Sequence, residues 1–248
     1  MITAVVITKN EEKMLEGCLN SISWCDEIII IDNNSEDNTI GIAKKYTDLI
    51  FEAGTGSFSD WRNLGLKKAS KDWVLYIDAD ERVSTELKKE ILKTIGEKEA
   101  SSAYAIPRKN IMFGTFVKHG GWYPDYQVRL FKKEKLIGWE GKLHERPKVN
   151  GLVGKLKEDM VHYTHRNISD TLNKKLEWSK IEAESRLNTN HPKITWPRIV
   201  KVMISEFLRR YIKEEGWKDG TVGFIVAADE AFSMFVIYTR LWEMQQKQ

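Results

Sequence analysis

Residues 72–81 read DWVLYIDADE: an apolar run from Trp73 to Ile77 stops at Asp78, and Ala79, Asp80 and Glu81 follow. A run of this length, rich in aromatic and branched side chains and bounded by polar residues, predicts a strand buried on both faces. Upstream the same pattern repeats. Ile2 to Ile7 (ITAVVI) gives way to the polar TKNEE, and Glu27 to Ile31 (EIIII) ends at Asp32 and the turn-rich NNSEDN. Between these two runs Met14, Leu15, Cys18, Leu19 and Ile22 recur at helical spacing. Asp37 is placed to cap a further helix with Ile40, Ile42, Ala43 and Tyr46 on its apolar face. Asp48 to Phe51 predicts a short third strand, and Phe58 to Ala69 and Thr85 to Ile95 predict helices. Near-continuous apolar strands alternating with helices imply an α/β fold, a parallel sheet covered on both faces.

Beyond residue 100 the pattern changes. Ser102 to Pro107, Gln127 to Phe131 and Leu156 to Tyr163 read as strands, joined by the Gly- and aromatic-rich segment FGTFVKHGGWYPD. This predicts an irregular, partly antiparallel half of a mixed sheet. From Ile168 the chain reads as helical over 168–188, 196–213 and 219–244, with NTNHPKITWP as a hinge. The expected organisation is a domain over 1–166, in halves 1–98 and 99–166, followed by a helical region over 167–248.

The chain has 248 residues, a length that suits one large domain or one with an appendage. Its 39 basic and 36 acidic residues leave a net charge of +3, which gives no support to nucleic-acid binding through bulk charge. Cys18 and Cys25 are too few for a disulfide framework or an all-cysteine metal site, so a reducing cytoplasm is the expected compartment. The N-terminus carries no secretory-signal pattern, and no long uncharged apolar stretch predicts a membrane span. Val222 to Trp242 is apolar but is interrupted by Asp229, Glu230 and Arg240.

In parallel α/β sheets ligands bind outside the carboxyl ends of the strands. The residues there are Thr8, Lys9, Asn10 and Glu11, then Asp32 and Asn33, then Asp78, Ala79, Asp80 and Glu81. Four of these carboxylates, Glu11, Asp32, Asp78 and Asp80, at one sheet edge are costly unless a cation or hydrogen-bond donors neutralise them. In Asp78-Ala79-Asp80 one carboxylate can bind a Mg²⁺ or Mn²⁺ ion while the other turns to a ribose or a second ligand position. The bland alternative is a solvated turn opening a helix. Gly120 and Gly121 permit close backbone approach, and Trp122 and Tyr123 offer flat faces to sugar rings; otherwise they are a core aromatic pair.

VVITKNEE, IIIDNNSEDNT, DWRNLGLKKASKDWVLYIDADE and the later HE and H positions together resemble family-two glycosyltransferases of the GT-A fold. The resemblance covers roughly residues 2–165, and RRYIKEEGWKDGTVGF in the tail resembles the bacterial subgroup that builds the lipopolysaccharide inner core or a related surface glycan. It implies an inverting, metal-dependent transfer from a nucleotide-diphospho-sugar, of UDP-glucose type, to a saccharide hydroxyl. The 1–98 half would then bind the nucleotide and the 99–166 half the acceptor. Thr8, Asn10 and Glu11 would line the nucleotide pocket, Asp32 would bind base or ribose, and Arg62 would meet the nucleotide or diphosphate. Asp78 would contact the ribose or sugar, and Asp80 with His162 would ligate Mg²⁺ or Mn²⁺. The catalytic base would be Glu145, in GKLHERP, where His144-Glu145 stands in place of the usual acidic pair; Asp125 is the runner-up. Gly121, Trp122 and Tyr123 would contact the acceptor.

Other readings are transfer to a peptide or a polyprenyl phosphate, or a non-catalytic nucleotide-sugar-binding module. A nucleotidyltransferase is disfavoured because TKNEE lacks the glycines of a phosphate loop. Between Lys193 and Lys218 seven basic residues outnumber three acidic ones and alternate with apolar residues. That pattern suits a helix lying at an anionic membrane surface on the inner face of the plasma membrane, or helices packing on the domain or in a homodimer.

Overall fold

The computed structural model describes residues 1–97, 99–141, 145–189 and 191–247. The strands are β1 (Ile2–Thr8), β2 (Glu27–Asp32), β3 (Ile50–Glu52), β4 (Trp73–Asp78), β5 (Glu81–Val83), β6 (Ala103–Met112), β7 (Thr115–Phe116), β8 (Asp125–Lys132), β9 (Leu136–Glu140), β10 (Arg146–Val149), β11 (Val153–Lys155) and β12 (Met160–Thr164). The α-helices are α1 (Leu15–Ile22), α2 (Thr39–Ala43), α3 (Phe58–Lys68), α4 (Thr85–Ile95), α5 (Ile168–Asn188), α6 (Trp196–Leu208) and α7 (Gly220–Gln246). The chain packs as two units, Met1–Arg108 with Tyr126–His162, and Lys109–Asp125 with Tyr163–Gln248.

In the first unit the main sheet runs β3-β2-β1-β4-β8-β6-β12-β5. β1 is parallel to β2 and β4, with Val6 opposite Ile30 and Ile77, whereas β8 runs antiparallel to β4, with Leu130 opposite Leu75. The sheet is therefore mixed, as the change of pattern after residue 100 predicts. Side chains of successive strand residues alternate between its faces. Val6, Ile30, Leu75 and Ile77 pack with Leu15, Cys18, Leu19 and Ile22 of α1 and with Leu87 and Ile91 of α4. Val5, Ile7, Ile29, Ile31, Val74 and Tyr76 pack on the other face with Trp61, Leu136 and Trp139. Both faces are covered, which is why the strands read as unbroken apolar runs.

Local chemistry explains some of the helix boundaries. Ser57 and Asp60 form a reciprocal capping box at the start of α3, and Ser84 caps α4 through the Leu87 amide. α2 is shorter than its apolar pattern suggests, and Asn38 rather than Asp37 occupies its capping position. Asp37 accepts hydrogen bonds from the Thr39 amide and hydroxyl instead.

In the second unit α7 packs against α5 and α6 around Ala183, Ile194, Ile237, Tyr238 and Leu241. Met112, Val117 and Val226, with Phe113, Trp122 and Val222 against them, form a smaller cluster. The helical stretch Gly216–Gln246 is long and apolar enough to cross a membrane by length and composition, although Asp229, Glu230 and Arg240 lie in it. A core helix meets the same criteria. Here the two acids that interrupt the sequence are paired inside the unit: the Lys175 ammonium lies 2.5 Å from Asp229 Oδ2 and 2.8 Å from Glu230 Oε1.

Candidate active site

Sheet register assembles the site. Thr8 lies opposite Asp32, and Ile7 opposite Asp78, so the carboxyl ends of β1, β2 and β4 are neighbours. Asp32 is buried and accepts from the Ser35 hydroxyl at 2.6 Å and the Ser35 amide at 2.9 Å. Asn10 supports the same loop: its amide donates to Ser35 Oγ, and its Oδ1 accepts from the Glu36 amide. The Glu11 amide donates to Thr39 Oγ1. A groove of about 450 Å³ is lined by Asp32, Asn34, Ser35, Glu36, Ile40, Ile50 and Glu52. Thr8 is buried, and its hydroxyl has no hydrogen-bond partner among the described residues.

Asp78 is the hub of a charge network. Arg62 Nη2 lies 3.3 Å from its Oδ1, and Arg129 Nη2 lies 2.5 Å from its Oδ2. The Arg129 Nη2 also lies 2.8 Å from Oε1 of the fully buried Glu81, and Glu81 accepts the Asp78 amide through Oε2 at 2.9 Å. Arg108 adds a further guanidinium 3.5 Å from Glu81. Burial by itself pushes the Asp78 carboxyl up, but Arg129 and then Arg62 outweigh it and hold the group well below the usual carboxylate range. The same pairing overcomes the effect of burial on Arg129 and raises its pKa.

Arg62 also reaches Glu145, with Nε 3.3 Å from Oε1. Its guanidinium lies over the Trp139 ring at 4.8 Å, and the Tyr76 hydroxyl donates to the Arg62 carbonyl at 2.9 Å. Arg62 Nη1 has no hydrogen-bond partner among the described residues. α3 can bring Arg62 this close because Gly65, one turn on, lies against Val5 of β1, where an added Cβ would collide with the valine side chain. His144, named beside Glu145 in the sequence reading, lies outside the described residues.

β12 runs antiparallel to β5 with His162 opposite Glu81. That register brings His162 Nε2 to 3.7 Å from Asp80 Oδ2, with both side chains largely buried. Two donor atoms bound to one ion at about 2.1 Å each lie no more than about 4.2 Å apart, so the pair fits a shared divalent cation.

Among the expected site residues the first unit thus holds Thr8, Asn10, Glu11, Asp32, Arg62, Asp78, Asp80, Glu145 and His162. The second holds Gly121, Trp122, Tyr123 and Asp125. Gly121 has a φ of 76°, and a Cβ there would strike the Glu214 carboxylate. Trp122 lies under the Arg210 guanidinium at 4.7 Å with its indole N–H buried, Tyr123 packs edge-on to Phe116, and Asn110 Nδ2 donates to Asp125 Oδ2 at 3.4 Å. His165, Asp229 and Glu230 also bring ligand atoms together, but two cations already pair with the acids: Lys175 with both, and Arg210 with Glu230.

Sequence reasoning missed Arg129, Glu81 as the acid that orders them, and Arg108. A signal for Arg129 was present: it is a lone charge in the strand YQVRLF, and a charge buried in a strand needs a partner.

Comparison with known proteins shows the family. Residues 3–155 match the family described as Glycosyl transferase family 2. The chain belongs to glycosyl transferase family 2. Among relatives in that family, the lipopolysaccharide core biosynthesis glycosyltransferase LpsC of Rhizobium meliloti is 24% identical over 258 residues, covering 98% of this chain and 92% of LpsC. The glycosyltransferase SunS of Bacillus subtilis is 33% identical over 150 residues, 59% of this chain and 34% of SunS. A crystal structure of S. aureus TarS 1–349 in complex with UDP is similar in fold, with a TM-score of 0.51 at 16% identity over 100% of this chain and 92% of the other. The fold is the mixed α/β GT-A arrangement, and as a family-two member the chain is a glycosyltransferase.

Proposed function

We propose that the protein transfers a sugar from a nucleotide-diphospho-sugar, of UDP-glucose type, to a saccharide hydroxyl of a lipopolysaccharide core or related surface glycan, with inversion. The observation that carries this reading is the single guanidinium of Arg62 joining Asp78 to Glu145. It sets a donor-side acid and a base-side acid at a fixed spacing around one cation, as a displacement with a nucleophile on one side and a leaving group on the other requires.

In this reading the nucleotide base and ribose occupy the groove beside Asp32, with Thr8, Asn10 and Glu11 shaping its edge, and Asp78 faces the ribose or sugar. The unpartnered Nη1 of Arg62 is suited to a diphosphate oxygen, since a guanidinium forks onto phosphate more effectively than an ammonium does. Glu145 uses Oε2 to take the acceptor hydroxyl proton. The acceptor oxygen then bonds to the anomeric carbon as the bond from that carbon to the diphosphate breaks on the opposite face. Asp80 and His162 are the residues that would hold a Mg²⁺ or Mn²⁺ ion, whose chemistry is to offset charge on the departing diphosphate. Gly121, Trp122 and Tyr123 are assigned to the acceptor, and Asp125 is the alternative base. LpsC supports the acceptor class by name, over nearly the whole of both chains. The TarS complexes with UDP and UDP-GlcNAc support a uridine donor. The two free cysteines suit a reducing compartment.

The test is a hydrolysis and transfer screen over UDP-, GDP- and ADP-sugars with and without Mn²⁺, comparing wild type with E145Q. Expected is metal-dependent turnover of a UDP-sugar that E145Q loses while still binding UDP. Saturable UDP-sugar binding without turnover in the wild type would leave a binding module, and full activity of E145Q would move the base to Asp125.

A further inference from the structure

α6 packs Ile199 and Val202 on the core of the unit and carries a second apolar row on the outside. Trp196, Val200, Ile204 and Leu208 are spaced four apart, Ile212 continues the series, and all five are between 44% and 76% exposed. A four-residue step in an α-helix advances by about 40°, so a long series of this kind would wind off the face. The chain changes to a π turn over Arg209–Lys213, whose wider turn takes up part of that drift and keeps Ile212 in line. Phe224 of α7 extends the surface: it is half exposed and packs edge-on against Phe207 and Tyr211. Trp217 adds a second exposed indole beyond the far end of the series. A contiguous exposed apolar strip of this extent marks an interaction surface.

Charge selects the partner. Every acid of the segment is paired within it: Glu206 with Arg209 and Arg210, Glu214 with Arg209, and Glu215 with Lys218. Lys193, Lys201 and Lys213 are exposed and in no ion pair among the described residues, and the Arg198 guanidinium donates only to the Pro192 carbonyl. Seven bases against three acids leave +4 on residues 193–218. A second copy docked on the same face would set +4 against +4 across a self-complementary interface, which disfavours self-association. An anionic lipid surface meets both properties. Lysines can sit among the headgroups while the apolar side chains enter the acyl boundary, and indoles are suited to the interface itself.

We infer that the outer face of α6 and its π turn, from Trp196 to Ile212, is a docking surface for an anionic membrane, on which the helix lies in the plane of the bilayer. The inference is independent of which sugar is transferred.

The test is co-sedimentation of the full chain with vesicles of phosphatidylcholine alone or with 30% phosphatidylglycerol, at low and at 0.5 M salt. Expected is binding to the anionic vesicles at low salt, weakened at least tenfold by salt, and a blue shift of tryptophan emission that is reduced in W196S. The double variant I204N/L208N should lower partitioning at least tenfold, and K201E/K213E should do the same, while UDP-sugar hydrolysis and the far-UV spectrum stay at wild-type values. Failure to bind anionic vesicles at low salt overturns the proposal, as does I204N/L208N binding as well as wild type. A dimer in solution that L208N converts to monomer would assign the face to a second copy instead. Loss of hydrolysis in the wild type would bear on the catalytic reading alone.

Discussion

Arg62 and Glu145 meet across 83 residues of chain, Nε to Oε1 at 3.3 Å, and the same guanidinium holds Asp78. A guanidinium can serve two carboxylates from one rigid plane; an ammonium is a single point of charge. R62K is therefore expected to keep the fold but lose transfer on the order of 10²-fold, because one of the two acids is released. R62A leaves Glu145 without that cation while Asp78 keeps Arg129, and should cost about 1–3 kcal/mol in urea unfolding. Wild-type turnover in R62K would exclude the bridge from the mechanism.

The 3.7 Å separation of Asp80 Oδ2 and His162 Nε2 carries a second expectation. H162A and D80N should each raise the Mn²⁺ concentration for half-maximal turnover by at least about tenfold, with little change in UDP-sugar KM at saturating metal. Manganese binding read by electron paramagnetic resonance checks this without relying on activity. Unchanged manganese affinity in both variants would assign the pair a structural role.

Gly65 sets how closely α3 approaches β1 and thus where Arg62 lies. Alanine is the better helix former, by roughly 1 kcal/mol on an exposed surface. Here its Cβ would meet the Val5 side chain, so G65A should destabilise by about 1–3 kcal/mol and G65L by more. The pair G65A/V5A should recover part of the overpacking cost. Stabilisation by G65A in chemical denaturation would show that α3 can move outward without strain.

Glu206 supplies a pH dependence for the helical unit. Its burial raises the carboxyl pKa, and the hydrogen bonds from Arg209 and Arg210 more than offset that, so the folded value lies below the ordinary one. The stabilisation is then present above the unfolded pKa of about 4.3 and is lost as the pH falls through the folded value. Wild type should lose Tm more steeply than E206Q between about pH 5 and pH 3, and E206Q should start lower at pH 7. Parallel curves for the two proteins would show that this cluster adds nothing to stability.

The sequence by itself determined the α/β fold, the helical tail and which residues stand at the strand ends, because these depend on local periodicity. Apolar runs such as EIIII and WVLYI encode two covered faces, and Asp32 and Asp78 fall where each run stops. The short strands β5, β7 and β11 and the β9–β10 hairpin were not legible, since two to five residues carry no period of their own and pair only once a neighbour is present. What only the tertiary structure decided was partnership. No local rule relates Arg129 to Glu81, Arg62 to Glu145 or His162 to Asp80, because each contact is set by sheet register and by the approach of a helix. The apolar side of α6 was visible as a pattern, but a pattern gives a helix an apolar face without saying whether protein covers it. Packing on α7 decided that, leaving Trp196, Ile204 and Ile212 to the solvent.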